Sequence, residues 1–166
     1  TAPHNYRIIG KKQRVWFSSV TARRGVQYEQ FDEEGYVDVS MADDEITALG
    51  ESNGYIIAFG EKRAYRAFHN KSVVQDVPFG PVLTDFEPIP GSIGCVGARA
   101  FDVLPDGTLI GIGSGNRVFI GDAQSMSVHP LSDRLEGYLV DTLSPETIKY
   151  SNVVLDENNN KCMFYC

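Results

Sequence analysis

Two stretches of the chain carry the same alternation of apolar and turn-forming residues. The first, ITALGESNGYIIAFGEKRAYRAF over 46–68, reads as a strand, an Asn53-Gly54 turn, an apolar strand over 55–59, a break at Gly60-Glu61, and a strand over 63–68. Asn-Gly between apolar runs is a strong hairpin signal, because both central residues of a type I′ turn need positive φ. The second, AFDVLPDGTLIGIGSGNRVFI over 100–120, places Asp106-Gly107 at the turn and an apolar strand over 108–112. Gly54 and Gly107 are 53 residues apart, and 53 further on Asn160 opens a last strand over 161–165. A basic residue, a small one and an aromatic recur as Arg14-Val15-Trp16, Arg63-Ala64-Tyr65 and Arg117-Val118-Phe119. A period near 50 built from hairpins predicts β-propeller blades or a related β array.

The remaining chain fills in around these units. Short strands are expected over 6–9 and 14–20, with a turn at Gly10-Lys11-Lys12, and a strand pair over 26–31 and 36–40 around an acidic turn. An outer strand is expected over 72–77. The segment 78–93, PFGPVLTDFEPIPGSI, holds four prolines and two glycines and reads as a loop covering an edge or contacting a partner. Beyond it, Gly94-Cys95-Val96-Gly97 enters the second unit, 126–129 is an outer strand, 130–135 a turn, and 138–143 and 148–155 strands. No window keeps a 3.6-residue period over three turns. The expected fold is all-β, with antiparallel propeller blades in units 6–44, 45–93 and 94–143 and a partial unit 144–166. About three such units do not close a propeller, which takes four to eight blades, so a longer chain or an assembly of copies is expected.

Length and composition fit this picture. The chain has 166 residues, 42% of them hydrophobic and 22% charged, enough for one domain with a true core. No apolar run approaches the roughly 20 residues of a membrane-spanning helix. The net charge of −7 argues against a surface that grips nucleic acid of any sequence. Charge is unevenly spread: residues 1–24 carry six basic side chains and no acidic ones, and 29–45 carry eight acidic and no basic ones. Such blocks are solvated faces or complementary edges between neighbouring copies.

Candidate chemistry is sparse. His4, His69 and His129 lie far apart and build neither a zinc site nor a triad. Cys162 and Cys166 share a strand face, but with Cys95 as the only other thiol they read as inert cysteines rather than metal ligands. Asp85, Glu87, Asp102 and Asp106 lie near loops or strand ends, where glycosidase carboxylates would be sought, yet their spacing singles out no pair. Gly111, Gly113 and Gly115 precede a strand instead of a helix, which suits close packing and a turn rather than a phosphate cradle. Asn70-Lys71-Ser72 is a glycosylation sequon that matters only in a secreted chain. The repeated Arg14, Arg63 and Arg117 read as structural, with Trp16, Tyr65 and Phe119 between sheets and each arginine on the opposite face. Structural anchors are therefore expected at Arg14, Trp16, Asn53, Gly54, Arg63, Tyr65, Asp106, Gly107, Arg117 and Phe119. No catalytic, metal or cofactor-binding residue is assigned.

The order ITALGESNGYIIAFGEKRAYR, a proline-rich loop, GCVGARAF, DGTLIGIGSGNRVFIGD and LSDRL resembles the β-propeller structural proteins of short-tailed bacteriophages. These are head–tail connector, packaged-DNA-stabilising and tail nozzle proteins, and the resemblance spans residues 14–165. It implies a non-enzymatic virion component of the neck or tail, assembled in the host cytoplasm as a ring of copies between portal or adaptor and tail proteins. It implies neither a membrane span nor recognition of a nucleic-acid sequence. A lectin-like or scaffolding propeller is the alternative, and a glycan-processing enzyme a further one.

Overall fold

The computed structural model describes residues 8–18, 20–21, 25–26, 31, 33, 35–39, 44–68, 84–91, 93–124, 126–127, 137–138, 141–142, 144–156, 158–159 and 161–165. Its strands are β1 (Ile8–Lys11), β2 (Arg14–Phe17), β3 (Val20–Thr21), β4 (Gly25–Val26), β5 (Tyr36–Asp38), β6 (Ile46–Ser52), β7 (Tyr55–Gly60) and β8 (Ala64–Phe68). They continue as β9 (Glu87–Pro88), β10 (Phe101–Val103), β11 (Leu109–Gly113), β12 (Arg117–Gly121), β13 (Met126–Ser127), β14 (Asn152–Asp156) and β15 (Lys161–Tyr165). Every pairing among them is antiparallel. The protein is all-β with very little helix.

Most of these strands belong to four sheets. Sheet I has the order β1-β2-β5, sheet II β6-β7-β8-β9, sheet III β10-β11-β12-β13 and sheet IV β14-β15, while β3 and β4 form a separate ribbon. Sheets II and III are the same object twice, a four-stranded meander whose second strand is fully or nearly buried on both faces.

The first hairpin turns as its sequence dictates. Asn53 and Gly54 have φ of 51° and 81°, so both central residues are left-handed, as a type I′ turn requires. The second is built differently. The Gly107 N–H donates to Leu104 O at 2.8 Å across Pro105-Asp106, and Gly107 alone has positive φ, 87°. Proline at the first central position fixes an ordinary turn, and glycine then absorbs the bulge that returns the strand. Asp106 adds a hydrogen bond, its carboxylate accepting from the Thr108 N–H at 2.8 Å.

The sheets stack face to face. Along β7 the side chains alternate: Ile56 and Ala58 join Val15, Phe17, Val37 and Val39 of the first part of the chain. Ile57 and Phe59 join Leu109 and Phe119 of sheet III, in a cluster that continues to Ile148 and Val153 beside sheet IV. Period-two alternation with both faces apolar is what a strand in the middle of a stack must have. Phe59 is the pivot of the second contact, its ring centroid 4.9 Å from Phe101 and 5.5 Å from Phe119. Two glycines make room for these rings. A Cβ on Gly50 would stand 2.7 Å from the Phe101 ring, and one on Gly111 would stand 2.6 Å from the Phe119 ring.

Several elements differ from the sequence-based expectation. The fourth strand of sheet II is Glu87–Pro88, inside the proline-rich segment, pairing Tyr65 with Pro88 and Arg66 with Glu87. Proline, which lacks an N–H, is tolerated there because β9 is an edge strand. The outer strand expected over 72–77 lies outside the described residues, as does the turn at 130–135. The partner of β5 is β2, not a strand over 26–31; Val26 pairs instead with Val20, and 27–30 lie outside the described residues. The β1–β2 turn lies at Lys12-Gln13, one residue later than expected, with Lys12 at φ 56°. Where strands were expected over 138–143 and from 148, residues 137–138 and 141–142 are helical and Pro145–Ile148 is one helical turn. Ser144 caps that turn by accepting from the Thr147 N–H, and Pro145 suits the first helical position because its missing N–H would go unused.

This packing makes Gly111→Ala a sharp test. Its methyl would meet the Ala100 carbonyl oxygen at 2.7 Å, which is backbone and cannot swing away. The expected loss is about 1–3 kcal/mol in urea unfolding. Gly137→Ala, with nothing within 4 Å, should stay within about 0.5 kcal/mol of the parent. Equal midpoints for the two variants refute the packing argument.

Candidate functional site

The seams between sheets gather backbone and short-range polar contacts, Asp102 of the nominated carboxylates among them. Between I and II the Ile46 N–H donates to Lys12 O at 2.6 Å, and between II and III the Cys95 N–H donates to Gly60 O at 3.0 Å. Thr47 Oγ1 donates to Cys95 O at 2.8 Å, and Ser52 Oγ donates to Gly107 O from a buried position. Ser114 Oγ donates to Glu61 O, and Arg66 Nη1 to Ala123 O at 3.0 Å. Between III and IV the Leu155 N–H donates to Asp102 Oδ2 at 2.8 Å, while Val153 N–H donates to Arg99 O at 2.9 Å. The tie between I and II is a backbone bond, and at the other two seams these side chains add to the backbone bonds in satisfying peptide groups.

The carboxylates nominated from the sequence are thereby accounted for. Asp102 spans a seam, its other oxygen accepting from the Val103 N–H at 2.8 Å. Asp106 holds its turn, and the Thr108 backbone and side-chain hydrogen bonds keep its carboxyl below the usual aspartate range. Glu87 lies on the exposed edge, 3.6 Å from the Arg66 guanidinium, and Asp85 is exposed in the approach to β9. The structure brings no two of these four together as a catalytic pair. His4, His69, His129, Cys166 and the 70–72 sequon fall outside the described residues. Among the described residues, no group of three or more His, Cys, Asp or Glu side chains is placed to hold a metal ion. No helix among them is long and apolar enough to cross a membrane.

One carboxylate escapes sequence reading. Asp44 is buried against Gly60, where an added Cβ would stand 2.5 Å from its carboxylate. It accepts from the Lys62 N–H at 3.1 Å and lies 3.5 Å from the Tyr65 hydroxyl. In sequence it sits in an acidic block, with nothing to separate it from solvated neighbours.

The aromatic anchors divide into two groups. Tyr65 and Phe119 are buried between sheets, while Trp16, at the same place in its triplet, is only half-buried. Residues two apart in a strand share a face, so Arg14 lies on the Trp16 side and not opposite it. Cross-strand pairing sets Arg14 against Asp38 and Trp16 against Tyr36. Arg14 Nε is 2.8 Å from Asp38 Oδ1, its guanidinium lies 4.1 Å from the Tyr36 ring centre, and Tyr36 is 4.9 Å from Trp16. This cluster is the outer face of sheet I, turned away from Val15 and Phe17, which pack on sheet II. Arg63 and Arg117 are exposed, Arg63 just before β8 and Arg117 at the start of β12.

No known protein family matches the chain, and no curated protein is significantly similar to it.

Two measurements check these roles. Asp102→Ala should cost about 1–3 kcal/mol, since it strands the Leu155 N–H, whereas Asp85→Ala should be neutral within about 0.5 kcal/mol. The second concerns Cys95, whose thiol is pushed by burial from 9.0 up to about 11. The folded state then keeps a proton that the unfolded chain releases, so stability is complete below pH 9.0 and falls as pH rises toward about 11. The loss is about 3 kcal/mol. Cys95→Ala should lack this decline; a parallel decline in both proteins removes Cys95 as its source.

Proposed function

We propose that this chain is a β-propeller segment acting as a non-enzymatic structural component of a bacteriophage neck or tail. The observation that carries the reading is the repeated four-stranded antiparallel sheet, stacked face to face on its successor and tied to it by seam hydrogen bonds. Such a stack commits its apolar and polar groups to holding layers together, as a mechanical array does. The described carboxylates nominated from the sequence are engaged in turns, seams or an exposed edge, which favours a mechanical role over a hydrolytic one. An acidic chain suits the wall of a DNA channel, since a wall that gripped phosphate would retard passage. In this role the chain joins portal or adaptor proteins to tail proteins as a ring of copies.

A lectin-like module is the second reading, favoured by the half-exposed Trp16 and Tyr36 beside the Arg14–Asp38 pair. Saturable binding on a glycan array, lost in Trp16→Ala, is what that reading expects.

The structural reading is tested on particles. Phage from a source that encodes the chain are banded on a density gradient and washed in high salt. The chain's peptides should remain with the particles at a fixed ratio to the portal protein. Recovery only in the soluble fraction overturns the reading.

A further inference from the structure

The internal repeat identifies which side chains each sheet presents to the next. Ile57 and Phe59 of β7 point from sheet II into sheet III, together with Ala48 of β6, and all are buried. The residues 53 positions later, Ile110 and Ile112 of β11, are buried in the cluster that reaches Val153 of sheet IV, with Ala100 in the place of Ala48. A further 53 positions gives Met163 and Tyr165 of β15, and β14 sets Val154 against Met163 and Asn152 against Tyr165. There the pattern opens to solvent: Tyr165 is 53% exposed and Val154 42%. Their alternates, Val153, Cys162 and Phe164, pack inward on sheet III. The outer face of sheet IV therefore holds positions that two preceding sheets bury beneath a successor.

The opposite face behaves likewise at the other end of the stack. Sheet II receives sheet I through the cross-strand row Ala58–Tyr65, and sheet III receives sheet II through Gly111–Phe119. In sheet I the corresponding row is Ile9–Trp16–Tyr36. Ala58, Tyr65 and Phe119 are buried, but Ile9 is 40% exposed and Trp16 and Tyr36 are half-buried. The triplet aligns the rows: Trp16 stands in Arg14-Val15-Trp16 where Tyr65 stands in Arg63-Ala64-Tyr65 and Phe119 in Arg117-Val118-Phe119.

We propose that these two outer faces are the halves of a head-to-tail interface between copies of this chain, sheet IV of one copy seating on sheet I of the next. The inference deepens the structural-array reading, and rests on it, by naming the surfaces through which copies join. A second copy is the occupant because its sheet I carries the receiving row of this repeat, with an aromatic, Trp16, where Phe119 meets Phe59 inside the chain. The rims are compatible: across sheet I Arg14 stands between Lys11 and Asp38, a row with one excess positive charge, while Lys161 faces Asp156 across sheet IV in a neutral row, so the contact opposes no two rows of like charge. Because the two faces differ, the contact is heterologous and builds a closed ring or an open stack, not an isolated symmetric pair.

The test uses two variants of the whole chain, Ile9→Asp and Tyr165→Asp, both at exposed positions, examined by native mass spectrometry and sedimentation over a wide concentration range. The parent chain should associate beyond a dimer, and each variant alone should be monomeric. Mixed, the two variants should give a one-to-one dimer and nothing larger, since each keeps one intact face. Should circular dichroism show Tyr165→Asp misfolded, Val154→Asp replaces it. A parent that stays monomeric, a variant that still associates alone, or a mixture that stays monomeric overturns the proposal. The particle experiment is independent. A monomeric chain recovered in particles overturns this interface and leaves the virion reading standing; head-to-tail copies of a chain absent from particles do the reverse.

Discussion

The fit of Phe59 between Phe101 and Phe119 is the contact on which the stack depends. A strand buried on both faces has no solvent side to absorb a misfit, so sheets II and III must meet at a spacing set by three rings. Gly50 and Gly111 set it, by leaving out the side chains that would otherwise hold the layers apart. Tight packing of this kind is intolerant of an added methylene, because the surrounding interior is as dense as an organic crystal. The same demand explains why β7 and β11 are apolar and glycine-containing rather than alternating apolar with polar.

Layers joined only by apolar contact would slide. The seam hydrogen bonds prevent this because they are directional and fall at strand ends, where the peptide groups lack a ladder partner. Thr47, Ser52, Ser114, Asp102 and Arg66 each reach from one sheet to a backbone group of the next, so register between sheets is fixed by polar atoms while cohesion comes from the rings. The short side chains of Thr47, Ser52, Ser114 and Asp102 suit this task, since little rotamer freedom is lost in holding them, whereas Arg66 gives up more.

Much of this is legible from the residues, and the exceptions have physical causes. Asn53-Gly54 announces its turn because few other dipeptides accept two left-handed residues, and the apolar runs on either side place β6, β7 and β8. Asp106-Gly107 marks the second turn, but its type is decided by Pro105, whose fixed φ makes an ordinary turn followed by a glycine bulge. The helical turn at Pro145–Ile148 is too short for periodicity to register, although Ser144 followed by proline is a usable capping signal. β9 is hidden among prolines because an edge strand needs only one side of its backbone free to pair. The pairing of β5 with β2 joins residues 20 to 24 positions apart, which no local pattern encodes. The side on which Arg14 lies follows from strand period alone and needs no coordinates. The burial of Asp44 does need them, since its sequence neighbours include further acidic residues.

The limited sequence distance across the seams has a consequence for how the chain reaches its fold. Glu61 to Ser114 and Asp102 to Leu155 each span 53 residues, and Ser52 to Gly107 spans 55. The shortest tie, Lys12 to Ile46, and the longest, Arg66 to Ala123, both join neighbouring sheets, and the entropic cost of closure grows only slowly with loop length. A sheet can dock as soon as its predecessor exists, without waiting for partners from the far end of the polypeptide. Relative contact order therefore falls as sheets are added, so a longer array of this kind need not fold more slowly per sheet than a short one.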